Sequence, residues 1–147
     1  MTTFCVKALS AEDLPLLTNV APDVFDNPID EGLTKEYLSD PRHHIVVAVE
    51  DGTVIGFASA VHYIHPDKPA ELWINEVGVS PAHRGKGVAQ AILKDLLHLG
   101  KRLGCKLAWV LTDKSNLAAN RLYRSAGGRV DPGDAVIYEF DTRNEAA

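Results

Sequence analysis

The chain has 147 residues, of which 46% are hydrophobic and 24% charged, and its formal net charge is −5. This is the composition of one folded domain, 1–147, with room for a substantial core, and it excludes a disordered tail or a fibrous repeat. No run approaches the roughly eighteen apolar residues of a membrane span, and Met1-Thr-Thr-Phe-Cys5 lacks the basic and apolar regions of a secretion signal. A cytoplasmic location is therefore expected, with neither a membrane nor a nucleic-acid partner.

Residues 3–9 alternate as a first strand, and Ser10-Ala-Glu-Asp13 is a capping box opening a helix that runs to about Val20. The Pro, Asp and Asn content of 21–29 predicts a loop. Asp30 then caps a second helix with Leu33, Tyr37 and Leu38 on one face, and Asp40-Pro41 ends it. Two β-branched runs, 44–50 and 53–63, are joined by Asp51-Gly52, a hairpin turn of the I′ kind. A strand over 72–79 follows the turn at Pro66 to Pro69. Residues 87–103 place Val88, Ile92, Leu96, Leu99 and Leu103 at helical spacing, with Leu93 and Leu97 widening the stripe, so this helix packs on a sheet. A strand over 106–112, a helix over 116–126 ended by Gly127, and a last strand over 135–140 complete the pattern. Periodicity alone gives an α+β or mixed α/β sheet with helices on both faces.

Cys5 and Cys105 lie in apolar, strand-like surroundings without metal-ligand spacing, and read as small core hydrophobes. His62, His65 and His83 lack the i, i+4 spacing of a helical zinc motif, so no metal is expected. Charge divides along the chain. Up to Ser80 there are 13 acidic and 4 basic residues, and from Pro81 onward 7 acidic and 11 basic. A polyanionic cofactor at the basic part and a cationic substrate at the acidic part would exploit that asymmetry.

The stretch Val77-Gly-Val-Ser-Pro-Ala-His-Arg-Gly-Lys-Gly-Val-Ala89 carries the chemistry. A strand enters a glycine-spaced, twice-basic turn that opens directly into a helix. The start of a helix offers unpaired N–H donors and a partial positive charge, which together make an anion site. Gly85 and Gly87 free the backbone to approach a ligand, while Arg84 and Lys86 add full charges. Neither the P-loop pattern nor the dinucleotide fingerprint is completed here.

The run Arg84 to Ala89 instead resembles the coenzyme A pyrophosphate loop, Gln/Arg-x-x-Gly-x-Gly/Ala, of the GCN5-related N-acetyltransferase (GNAT) superfamily. A second signature of that family is matched by Asn116-Leu-Ala-Ala119-Asn-Arg-Leu122-Tyr123-Arg-Ser-Ala-Gly127. The resemblance implies a central mixed sheet of six or seven strands, acetyl-CoA as cofactor, and pantetheine entering between two splayed parallel strands. It implies cofactor contacts from Val77, Val79, His83, Arg84, Gly85, Lys86, Gly87, Val88, Ala89, Asn116, Ala119 and Tyr123. Helix capping is an equal reading for Asn116.

Acetyl transfer to an amine needs a proton acceptor for the ammonium and a proton for the departing thiolate. Glu76, expected to be partly buried on its strand, is the candidate acceptor, and Tyr123, at the family's tyrosine position, the candidate acid. Backbone groups of Val77 and Val79 would hold the acetyl carbonyl and pantetheine as an added strand would. Within the superfamily the stretch 71–89, with Asp23 to Asp30, Glu36 to Leu38 and Val136 to Asp141, is similar to type I aminoglycoside 3-N-acetyltransferases. Gly127-Gly128 departs from their usual Gly-Phe or Gly-Ile. This resemblance implies a homodimer that acetylates a cationic small-molecule amine, an aminoglycoside, and so confers antibiotic resistance. The acids available to line such a site are Asp26, Asp30, Glu31, Glu76, Asp113 and Asp134. Alternatives are another small-molecule or protein amine, or a non-catalytic acyl-CoA sensor.

Overall fold

The computed structural model describes residues 3–143; Met1 and Thr2, at the start of the stretch that lacks a secretion signal's pattern, lie outside them. Five strands form one sheet in the order β1-β2-β3-β4-β5: β1 (Cys5–Ala8), β2 (His43–Glu50), β3 (Thr53–Tyr63), β4 (Glu71–Val79) and β5 (Leu107–Val110). The first four pair antiparallel, and β5 is added parallel to β4. The β2–β3 turn has positive φ at both Asp51 and Gly52, as the hairpin pattern predicts.

Helices cover both faces. On one face α2 (Val88–Arg102) buries Val88, Ile92, Leu93 and Leu96 against Val46, Ala48, Ile55, Leu72 and Ile74. Each buried Val, Ile or Leu side chain among them contributes about 1.5–3 kcal/mol, so α2 is fixed to the sheet along its first three turns. Helix α3 (Leu117–Ser125) lies beside it, with Leu122 and Tyr123 on the same core. On the other face Ile45, Val47, Val54 and Phe57 meet Leu17, Val24 and residues of α1 (Glu31–Ser39).

Several expectations are corrected. The first helical segment is a 3-10 helix, Ala11–Thr18, because Pro15 lies inside it and has no N–H for an α-helical bond. In α1 the inward residues are Thr34, Tyr37 and Leu38, while Leu33 is 68% exposed. Cys5 is exposed, since β1 is an edge strand, whereas Cys105 packs against the core. The sheet has five strands among the described residues rather than six or seven. Residues 135–140 keep a strand-like pattern but form no strand, and Val136, Ile137, Tyr138 and Phe140 are 70–79% exposed.

At the far end of β2 and β3 the His44 Nε2 and His62 Nδ1 atoms lie 2.7 Å apart. Burial, and then the neighbouring His62, lower His44 from its ordinary 6.5 to about 4. The unfolded chain therefore binds a proton that the folded chain refuses between pH 6.5 and about 4, and stability falls as the pH drops through that window. Melting followed by circular dichroism should give a lower midpoint at pH 5 than at pH 7, and His44→Gln should flatten the difference. An unaltered pH slope in that variant would contradict the assignment.

Candidate active site

Strands β4 and β5 pair only from Glu71 to Ile74 and from Leu107 to Val110. A bulge interrupts the β3–β4 register between Ser59 and Ala60, and beyond it β4 continues to Val79 with no strand of the described residues on its β5 side. The chain leaves β5 after Val110 through a turn that leads to α3. A cleft of about 1000 Å³ opens between these diverging segments.

The turn before α2 forms one end of the cleft. Gly85 and Gly87 have φ of +74° and +79°, the left-handed region that favours glycine. Gly87 is the N-cap of α2 and supplies no side-chain cap, so the first N–H groups of the helix have no side chain closing them. Gly85, Gly87, Val88, Ala89 and Arg84 all line the cleft. His83 is anchored by its Nε2 atom 3.0 Å from Glu50, whose carboxyl is held below its usual range by Thr3 and then by His83. Its Nδ1 is buried without a hydrogen-bond partner. Uncapped donors, two left-handed glycines and an arginine fit a diphosphate, and the unpaired flank of β4 fits the amides of a pantetheine arm.

From the other wall, α3 contributes Asn116, Ala119 and Tyr123. The Asn116 Oδ1 accepts the Ala119 N–H at 3.1 Å, so capping occupies that oxygen. Burial raises the Tyr123 phenol, which keeps its proton throughout the neutral range. Glu76 lies on the cleft but is exposed rather than partly buried. Its charge reaches Tyr37, whose phenol is pushed up to about 12, chiefly by burial.

Most of the residues expected at the cofactor thus converge on one cavity, with Lys86 outside its lining. The acids divide. Asp26 lines the cleft with Glu76, and Glu31 lines an adjoining hollow of about 830 Å³ that shares Asp23 and Asp26. Asp30 is occupied as the cap of α1, accepting the Leu33 N–H at 2.8 Å. Asp113 and Asp134 are exposed and line neither cavity. Sequence reasoning missed Asp23, Phe57, Gln90 and Arg121, which also line the cleft. A positive φ of 63° at Asp23, uncommon for a residue with a side chain, was the signal that only the backbone could give. Among the described residues no cluster of three or more potential metal ligands occurs.

Residues 11–127 match the Acetyltransferase (GNAT) family. N-alpha-acetyltransferase RimI of Mycobacterium tuberculosis is 32% identical over 124 residues, 83% of this chain and 76% of that protein. Streptothricin acetyltransferase of Streptomyces lavendulae is 28% identical over 136 residues, 92% of this chain and 68% of its own. In fold the chain is similar to an aminoglycoside acetyltransferase from an uncultured soil metagenomic sample, crystallised with sisomicin. The TM-score is 0.79 at 16% identity, covering 95% of this chain and 97% of that one. The chain belongs to the GNAT family and is an N-acetyltransferase whose cofactor is acetyl-CoA.

Gly78 sets how closely the loop at Val24 approaches β4. A Cβ there would lie 2.5 Å from the Val24 carbonyl oxygen and 2.9 Å from the Phe57 ring, so only glycine lets the acidic loop sit directly on β4. Gly78→Ala should push that loop away and raise KM for the amine severalfold, with a smaller effect on acetyl-CoA affinity. Steady-state kinetics paired with calorimetry would check this, and an equal loss for both ligands would contradict it.

Proposed function

We propose that this enzyme acetylates an amino group of a cationic small molecule of the aminoglycoside class, at the 3-amino position, and that resistance to such compounds is its consequence. The observation that carries the reading is that carboxylates and an open helix start line one cleft. Asp23, Asp26 and Glu76 line the same cleft as Arg84, Arg121 and the open start of α2. An aminoglycoside carries several ammonium groups and little apolar surface, so a carboxylate-lined entrance matches it. The streptothricin acetyltransferase relative supports a small-molecule acceptor, and the aminoglycoside acetyltransferase of similar fold supports this class.

Acetyl-CoA supplies the activated acetyl thioester. Backbone amides at Gly85 to Gln90, with Arg84, would hold the phosphates, and the main chain of Val77 and Val79 would hold the pantetheine arm and the acetyl carbonyl. The exposed carboxylate of Glu76 takes a proton from the incoming ammonium, directly or through water, so that nitrogen can form the new N–C bond. As the C–S bond breaks, the Tyr123 O–H would deliver its proton to sulfur, and the second proton lost by the acylated nitrogen would restore the phenol through water. Its raised pKa keeps the phenol loaded at neutral pH. Direct transfer of this kind needs no acyl-enzyme.

A second reading has specific support in the RimI relative, which points to a peptide α-amine as acceptor. Coenzyme A release should be measured with a gentamicin-type aminoglycoside, a linear polyamine and an alanine-terminated peptide. Turnover with the aminoglycoside alone is the expected result, and preference for the peptide would replace the first reading with the second. Tight cofactor binding without turnover on any amine would leave only a sensor. Tyr123→Phe should lower kcat by on the order of 100-fold with little change in KM for the amine. Glu76→Gln should move the rise of kcat/KM with pH to more alkaline values, because the amine must then lose its proton unaided. A wild-type rate in either variant would remove the role assigned to that residue.

A further inference from the structure

The turn that fits the cofactor diphosphate is tied to the sheet by a carboxylate that does not itself line the cleft. Between Pro81 and Lys86 the backbone bonds stay local. The His83 N–H donates to the Ser80 carbonyl at 2.9 Å, and the Arg84 N–H to that of Pro81 at 3.5 Å. Gly85 and Gly87 are left-handed, and a Cβ built on Gly85 would meet no heavy atom within 4 Å, so packing does not confine the turn. Glycine has the most backbone freedom to lose when a loop is ordered.

Among the described residues, the one hydrogen bond from this segment to the sheet runs from His83 to Glu50, the last residue of β2, at 3.0 Å. An ionised carboxylate only accepts, so the His83 Nε2–H donates. The Nδ1 of His83 is buried without a partner, so no second hydrogen bond orients the ring. Glu50 is fixed in turn, because the Thr3 hydroxyl donates to its other oxygen at 2.5 Å. The side chains of His83 and Glu50 are 19% and 28% exposed, so both ends of the tie are well enclosed.

Charge alone argues against a carboxylate in this place. The cofactor is a polyanion, and negative charge behind its phosphates costs affinity. Glu50 also lies near enough to Lys86 for that lysine to help lower its carboxyl, after the larger effects of Thr3 and His83. Such a residue favours binding only where its effect on geometry outweighs its repulsion.

We propose that Glu50 is a positioning residue for this enzyme: acting through His83, it holds the turn Arg84 to Gly87 in the form that receives the cofactor phosphates. It touches neither the cofactor nor the acceptor, and it lowers the ordering cost that a free glycine turn would add to binding. The role rests on the reading of this turn as the phosphate seat.

Removing the carboxylate separates two effects of opposite sign. Lost repulsion by itself would make Glu50→Ala bind coenzyme A more tightly. Lost positioning weakens binding, on the order of tenfold, the scale of one hydrogen bond to a charged group. Calorimetric titration of the full chain with coenzyme A reads the sign directly, and weaker binding is expected. Glu50→Gln is equally neutral but keeps an oxygen that accepts the Nε2–H, and should restore most of the affinity. KM for acetyl-pantetheine, which has the thioester arm and no phosphate, should be unchanged in both variants. Affinity in Glu50→Ala equal to or above the wild type overturns the role. So does a Glu50→Gln that binds no better than Glu50→Ala, or an equal loss for acetyl-pantetheine. Thr3→Val covers the case in which Glu50→Ala fails to fold. It frees one carboxylate oxygen and should weaken coenzyme A by a smaller factor, and unchanged affinity there also overturns the role. A wild type that takes up no coenzyme A would instead refute the phosphate seat, and this role with it.

Discussion

The site depends on one constraint: the start of α2 must be held open and aimed into the cleft. A helix N-terminus left without a cap is a cost unless something satisfies its donors. Here the left-handed pair Gly85 and Gly87 turns the chain from β4 directly into α2, and no side chain intervenes. The buried stripe Val88, Ile92, Leu93 and Leu96 keeps the helix from tilting toward a self-satisfied geometry. The binding donors are thereby preorganised by the core, and an anionic ligand gains their full attraction without an ordering cost.

That geometry also orders the rest of the cleft. Because β4 runs straight into the turn, Glu76, Val77 and Val79 lie a fixed few residues from the phosphate end. The bulge opposite Ser59 and Ala60 coincides with the place where β5 no longer pairs. A strand edge exposed in this way is costly in an ordinary sheet, but it is the natural seat for an extended ligand with amide groups. The close approach of Val24 and Phe57 to Gly78 then brings the acidic loop against the same strand. Stacking of Phe25 on Phe57, with centroids 3.9 Å apart, anchors that loop from below.

The cofactor end was legible in the sequence because it is local. The strand, turn and helix from Val77 to Arg102 are consecutive, and a glycine needing positive φ and an uncapped helix start both leave a direct trace in residue order. The acceptor end was less legible, since Asp23 and Phe57 reach it only through tertiary packing. Asp30 and Asn116 show how one residue type serves either caps or ligands, and the hydrogen bonds to Leu33 and Ala119 decide between them. Residues 135–140 show a different limit. Their pattern favours a strand, but a strand also requires an edge to pair with, and pattern carries no information about which edge or whose. Pro15 likewise turned a correctly located helix into its tighter 3-10 form.

Main-chain donors at the start of α2 are the groups that would receive the phosphates of the cofactor. Titrating coenzyme A into isotopically labelled protein and following backbone amide resonances tests this residue by residue. The largest shifts should fall at Gly85 to Gln90, with a second group at Val77 to Val79. Saturable binding that moves amides elsewhere and leaves those two groups unperturbed would contradict the account.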